Sequence, residues 1–103
     1  MQDLVPLARP YAKAIFDAAV DSGSTSETQA SLKSLAVGFK EKAITDLISS
    51  PTLSRSEILK NLTSIFDGEV NELVNNLLGA LAENDRLEIC PEISNLYESL
   101  LAE

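Results

Sequence analysis

The chain has 103 residues, enough for one domain with a modest core. Sixteen acidic side chains face eight basic ones, giving a formal net charge of −8, which argues against nucleic acid or anionic lipid as a partner. Cys90 is the lone cysteine, so no internal disulfide can form, and the lack of histidine removes the commonest general base and metal ligand; no cofactor is expected.

Alanine and leucine dominate the apolar set, while aromatics make up 5% of the chain, a composition that favours helices. The first helix is predicted from roughly Leu4 or Leu7 to Val20, stopping at Asp21-Ser22-Gly23 with Gly23 as a left-handed cap. Pro10 must sit in its first turn or kink it. A second helix follows Ser24, where Ser24-Thr25-Ser26-Glu27 has the pattern of a capping box; its stripe is Leu32, Leu35, Ala36 and Phe39. A short third helix holds Ile44, Leu47 and Ile48 and ends before Pro51.

A second capping-box pattern, Ser54-Arg55-Ser56-Glu57, opens the fourth helix, with Ile58, Leu62, Ile65 and Phe66 on one face and Asp67-Gly68 as its breaker. The fifth is predicted from about Glu69 to Glu83, followed by a turn at Asn84-Asp85. The sixth covers roughly Leu87 to Leu101, with Pro91 tolerable only if it falls in the first turn, and a stripe of Ile93, Leu96, Tyr97, Leu100 and Leu101. Short connections make neighbouring helices antiparallel, so the expected fold is all-α: a compact six-helix bundle forming a single domain over residues 1–103.

The opening Met1-Gln2-Asp3-Leu4-Val5-Pro6 has neither a signal-peptide pattern nor the look of a transit sequence, and a bacterial cytosolic origin is the simplest reading. There is no apolar run of about 18 residues, so no direct membrane insertion is expected. Residues able to do chemistry are sparse. Cys90 reads as a small buried apolar residue. Glu83, Asp85 and Glu88 cluster in sequence but lack the further ligands and the glycine of an oxygen-cage loop, and read as a solvated helix–turn surface. Asn61-Leu62-Thr63 matches a glycosylation acceptor, yet falls inside a predicted helix. A small hydrolase or metal enzyme built on clustered acids therefore has little support.

The informative feature is the width of the first helix's apolar surface. At about 100° per residue its apolar positions span about 200°, against the roughly 100° that an ordinary surface helix needs. One half is Ala8, Ala12, Ile15, Phe16 and Ala19; the other is Leu7, Tyr11, Ala14 and Ala18. One half serves the core. The second is either wrapped by the chain's own bundle or left open for a partner. On the fifth helix, Val70, Leu73, Val74, Leu77, Leu78 and Leu81 form a heavy core stripe opposite Asn76, Gly79, Ala80 and Glu83. Gly79 is either a neutral surface glycine or a point where something approaches the backbone.

Ala8-Arg9-Pro10-Tyr11-Ala12-Lys13-Ala14-Ile15-Phe16 resembles the opening signature of the delta subunit of F-type ATP synthase, the counterpart of the mitochondrial oligomycin-sensitivity-conferring protein. Leu81-Ala82-Glu83-Asn84-Asp85-Arg86-Leu87 with Pro91-Glu92-Ile93 resembles the family's motif near the end of its N-terminal domain, and Ser50-Pro51-Thr52-Leu53-Ser54 resembles the middle of that domain. The three occur in family order. The resemblance implies a six-helix, non-catalytic domain of the peripheral stalk, which holds the catalytic head still on the cytoplasmic face of the bacterial inner membrane. It implies an alpha-subunit N-terminal helix as partner, bound by the first and fifth helices. The contact residues it implies are Tyr11, Ala14 and Ala18, with Leu7 and Ile15 flanking, and Asn76, Gly79, Ala80 and Glu83. The family's C-terminal region, which binds the b subunits, is expected to lie outside a chain that stops at Glu103. Asp85 stands where the family often has glycine, and aspartate tolerates the left-handed turn. The alternative is an unrelated helical adaptor that binds another amphipathic peptide.

Overall fold

Six α-helices and a short 3-10 turn account for most of residues 4–103, the span that the computed structural model describes; residues 1–3, read above for targeting signals, lie outside it. In chain order they are α1 (Val5–Ser22), α2 (Thr25–Gly38), α3 (Lys42–Ile48), α4 (Arg55–Ile65), α5 (Glu72–Glu83), the 3-10 turn Leu87–Ile89, and α6 (Cys90–Ala102). Among the described residues there is no strand, and no helix is long and apolar enough to cross a membrane. The all-α bundle read from the sequence is the observed architecture. Its radius of gyration, 12.9 Å, matches the roughly 13 Å expected of a folded chain of about 100 residues.

The helix ends show how local chemistry sets the boundaries. Gly23, at φ 67°, takes the left-handed conformation after α1: its N–H donates to the Val20 carbonyl at 3.2 Å, and Ser24 N–H donates to the Ala19 carbonyl at 2.9 Å. This closure corrects the capping box expected at Ser24. With its amide drawn back onto α1, Ser24 sits at φ −121°, ψ 31°, not in extended backbone, and its hydroxyl meets Ser22 Oγ at 2.7 Å without capping α2. The box expected at Ser54 does form: Glu57 N–H donates to Ser54 Oγ at 3.1 Å, and Ser54 N–H donates to Glu57 Oε1 at 3.0 Å. Hydrogen bonding to the carboxylate from the Ser54 backbone N–H, and secondly from its hydroxyl, holds the Glu57 carboxyl below its ordinary range.

The remaining differences are of register. Pro10 lies in the second turn of α1, where its ring costs the rung to Pro6; Pro6 itself occupies the first turn. Ile65 is exposed: the buried arc of α4 is centred on Leu62 and Phe66, and Ile65 falls off its edge. The sixth helix divides, with Leu87–Ile89 in the 3-10 turn and Pro91 in the first turn of α6. α5 starts at Glu72 instead of Glu69, because Asn71 is its cap: Asn71 Oδ1 accepts from Val74 N–H at 3.0 Å.

Asn71 also ties α5 to α2. Its N–H donates to Ser31 Oγ at 2.8 Å and its Nδ2 donates to Thr28 Oγ1 at 2.9 Å; both hydroxyls are buried. Asn71→Ala is expected to cost about 2–3 kcal/mol, the sum of a lost cap and a weakened buried partner for Thr28. Asn71→Asp, which keeps the capping oxygen, should recover part of this in urea denaturation.

α1 packs chiefly on α6, and α6 in turn on α2; α5 lies against both α1 and α4. The core includes Ala8, Ala12, Ile15, Leu32, Leu35, Leu62, Leu78, Leu81, Ile93 and Tyr97. Phe16 meets Tyr97 edge-on with ring centroids 5.8 Å apart, and the Tyr97 hydroxyl donates to the Thr25 carbonyl at 2.7 Å. Phe66 packs under Gly38 so closely that a Cβ there would strike its ring, which explains the glycine at the end of α2.

Cys90 is buried, as its sequence context suggested, and burial pushes its thiol up to about 12, with Glu88 adding to the effect. An unfolded thiol ionises near 9.0, so between that value and about 12 ionisation favours the unfolded chain. Stability is therefore expected to fall as pH rises through this window, by up to about 1.4 kcal/mol per pH unit from this group. Tyr97, whose phenol is also raised by burial, acts in the same direction. Cys90→Ala should make the alkaline decline in urea midpoint shallower without abolishing it.

Candidate docking groove

α1 is covered by α2, α5 and α6, and its fourth side is open. Ala8, Ala12 and Ala19 are almost wholly buried. Of the other half, Leu7, Tyr11 and Ala18 are half-buried and Ala14 is exposed. The bundle therefore does not wrap the whole apolar arc of α1. Beside the open half runs α5, and the two helices form a shallow groove of about 270 Å³ lined by Tyr11, Ala14, Ile15 and Ala18 from α1 and by Leu73, Asn76, Leu77 and Ala80 from α5.

Six of the nine residues named from the sequence line this groove: Tyr11, Ala14, Ile15, Ala18, Asn76 and Ala80. Ile15, expected to flank it, is 5% exposed and forms part of its floor. Leu7 does not line it and packs instead against the core. Gly79 and Glu83 line a different cleft, of about 690 Å³, between α4 and α5, together with Arg55, Ser56, Leu59 and Asn75. Rotation about α5 separates them: Gly79 is displaced by about 100° from Ala80 and turns towards α4. Nothing lies within 4 Å of a Cβ built on Gly79, so within this chain no close approach demands the glycine. Asn76 and Ala80 line both clefts and form the ridge between them.

Sequence reasoning assigned Leu73 and Leu77 wholly to the core. Leu73 is half-buried on the groove wall, and Leu77 contributes to the floor. The signal was present: the apolar residues of α5 also span more than one stripe, the same surplus that singled out α1.

The wall between α4 and α5 is braced at one end. Arg55 Nε donates to Asp85 Oδ1 at 2.9 Å, its Nη2 donates to Oδ2 at 2.5 Å, and its Nη1 donates to the Glu83 carbonyl at 3.2 Å. Asp85 sits at φ 55°, the left-handed turn anticipated for it, and Arg86 N–H closes that turn onto the Leu81 carbonyl at 2.8 Å. The ion pair is largely exposed and adds little stability by itself, but it fixes the angle at which the chain leaves α5. Asp85 is thus committed to Arg55, and no group of three candidate ligands among the described residues is arranged to hold a metal ion.

Residues 7–103 match the family model described as the ATP synthase delta (OSCP) subunit. A protein from Hydrogenovibrio crunogenus named ATP synthase subunit delta is 33% identical over 102 residues, which are 99% of this chain and 57% of that protein. The Acinetobacter baylyi protein of the same name is 37% identical over 100 residues, 97% of this chain and 56% of its own length, and that from Laribacter hongkongensis is 36% identical over the same shares. The chain spans just over half the length of the curated relatives it matches.

Proposed function

The chain belongs to the ATP synthase delta (OSCP) family, and from that premise we propose that it is a non-catalytic stator subunit that docks the peripheral stalk onto the catalytic head by binding the N-terminal helix of an alpha subunit in the groove between α1 and α5. The observation that carries the reading is that Tyr11, Ala14 and Ala18 remain open to solvent beside Leu73 and Ala80. The groove is shaped for a helix, because small residues let a second backbone come close while Tyr11 offers an apolar body with a polar tip.

The function is mechanical. A stator contact must outlast the torque of the turning rotor, so slow dissociation matters more than chemistry. Apolar area laid into the groove contributes roughly 25 cal/mol per Å². On this reading the protein is peripheral to the membrane on its cytoplasmic face, and contacts with the b subunits fall to a region beyond residue 103.

The test is calorimetric titration of the chain with a synthetic alpha-subunit N-terminal peptide. Saturable one-to-one binding that broadens or shifts the NMR resonances of Tyr11 and Ala18 is the expected result. Absence of binding at peptide concentrations of hundreds of micromolar overturns the reading, and recovery of partners unrelated to ATP synthase would favour a different helical adaptor.

A further inference from the structure

The charged residues around the groove are sorted by sign. On α1, Asp21 follows Ala18 by three residues and Ala14 by seven, so it continues the groove's outer edge. On α5, Glu83 stands in the same relation to Ala80 and Asn76, the ridge between the two clefts, so it borders the groove from the far side of that ridge while lining the α4 cleft itself, and Glu72 precedes Asn76 by four. All three are exposed. α5 contains no basic residue. The basic residues of α1 face elsewhere: Arg9 and Lys13 line a cleft against Leu96 and Leu100 of α6, and Lys13 holds Asp17 at 3.0 Å. Arg55, beside Glu83 in the neighbouring cleft, is held by Asp85.

Two of these carboxylates occupy locally unfavourable positions. Asp21 and Glu83 lie in the last turns of their helices, where the macrodipole is negative and a cation would be favoured; neither last turn contains one. No salt bridge among the described residues involves Asp21, Glu72 or Glu83. Glu72, in the first turn of α5, is favoured by its helix dipole, but the isolated fold gains nothing from Asp21 and Glu83, whereas a partner of the opposite sign would.

Resting on the docking reading above, we infer that the groove selects an amphipathic helix whose apolar stripe is flanked by lysine or arginine, with Asp21, Glu72 and Glu83 as the residues that set this preference. A second copy of the chain is a poor occupant, since it would set two acidic rims, on molecules of net charge −8, against each other. Rim charges act mainly on encounter and on the rejection of wrong partners.

Two amidated peptides sharing one Leu/Ala stripe, flanked in one by lysine and in the other by glutamate, separate the possibilities by calorimetry and stopped-flow mixing. The lysine peptide should bind about tenfold tighter at low ionic strength, mostly through its association rate, and the advantage should shrink as salt is added. Combining Asp21→Asn, Glu72→Gln and Glu83→Gln should remove most of the preference. Combining Glu41→Gln, Asp67→Asn and Glu88→Gln, exposed positions outside α1 and α5, raises the charge equally, from −8 to −5, and should retain it. Equal binding of the two peptides, or equal loss in both variants, overturns the assignment of the rim and leaves the groove standing. If neither peptide binds, the docking reading itself falls, and this inference with it.

Discussion

Ala14→Asp is expected to weaken binding of the alpha-subunit N-terminal peptide by roughly 100-fold, corresponding to about 3 kcal/mol, while the domain stays folded. Ala14 is exposed and lines the groove, so the free domain solvates the new carboxylate at little cost. In the complex that carboxylate would lie under an apolar stripe without a partner, since the adjacent Lys13 is bound to Asp17. The effect differs from that of the rim acids, which stay in water and meet a cation at the edge. Circular dichroism establishes that the variant is folded, and calorimetry reads the affinity. An unchanged Kd in the folded variant would remove Ala14 from the site.

Tyr97→Ala should produce the largest loss of stability, about 3–5 kcal/mol from a total that for domains of this size is about 5–15. The side chain is fully buried, holds Phe16 edge-on, and joins α6 to the start of α2 through the Thr25 carbonyl. It therefore links α1, α2 and α6. Tyr97→Phe keeps the ring and removes the hydrogen bond, for about 1 kcal/mol. Urea denaturation of the pair separates ring from hydroxyl. A loss below about 1 kcal/mol for the alanine variant would mean that the α1–α6 contact is held by other residues. Because Tyr97 lies outside the groove, conditions that keep either variant folded should leave peptide affinity near that of the parent chain.

Much of the fold was legible because its signals are local. Gly23, Asp85 and the Ser54–Glu57 box act over four to six residues, and each behaves as its residue types suggest. Ser24 carries the same Ser-x-x-Glu pattern as Ser54 and does not form a box. The difference is the preceding residue: Gly23 commits the Ser24 amide to closing α1, and this fixes backbone angles that a cap cannot use. Asn71 was missed as a cap because its role is shared with Thr28 and Ser31, which lie 43 and 40 residues away in sequence.

The sequence alone determined the helical class, the family resemblance and the surplus apolar width of α1, because each follows from residue order and the period of a helix. Only the tertiary structure decided which half of α1 is covered, that Leu73 and Leu77 join it in a groove, and that Gly79 and Glu83 lie across the Asn76–Ala80 ridge, lining the cleft against α4. Periodicity fixes angles about one axis. The sector left open depends on where the neighbouring axes lie, and packing between residues distant in sequence sets those positions.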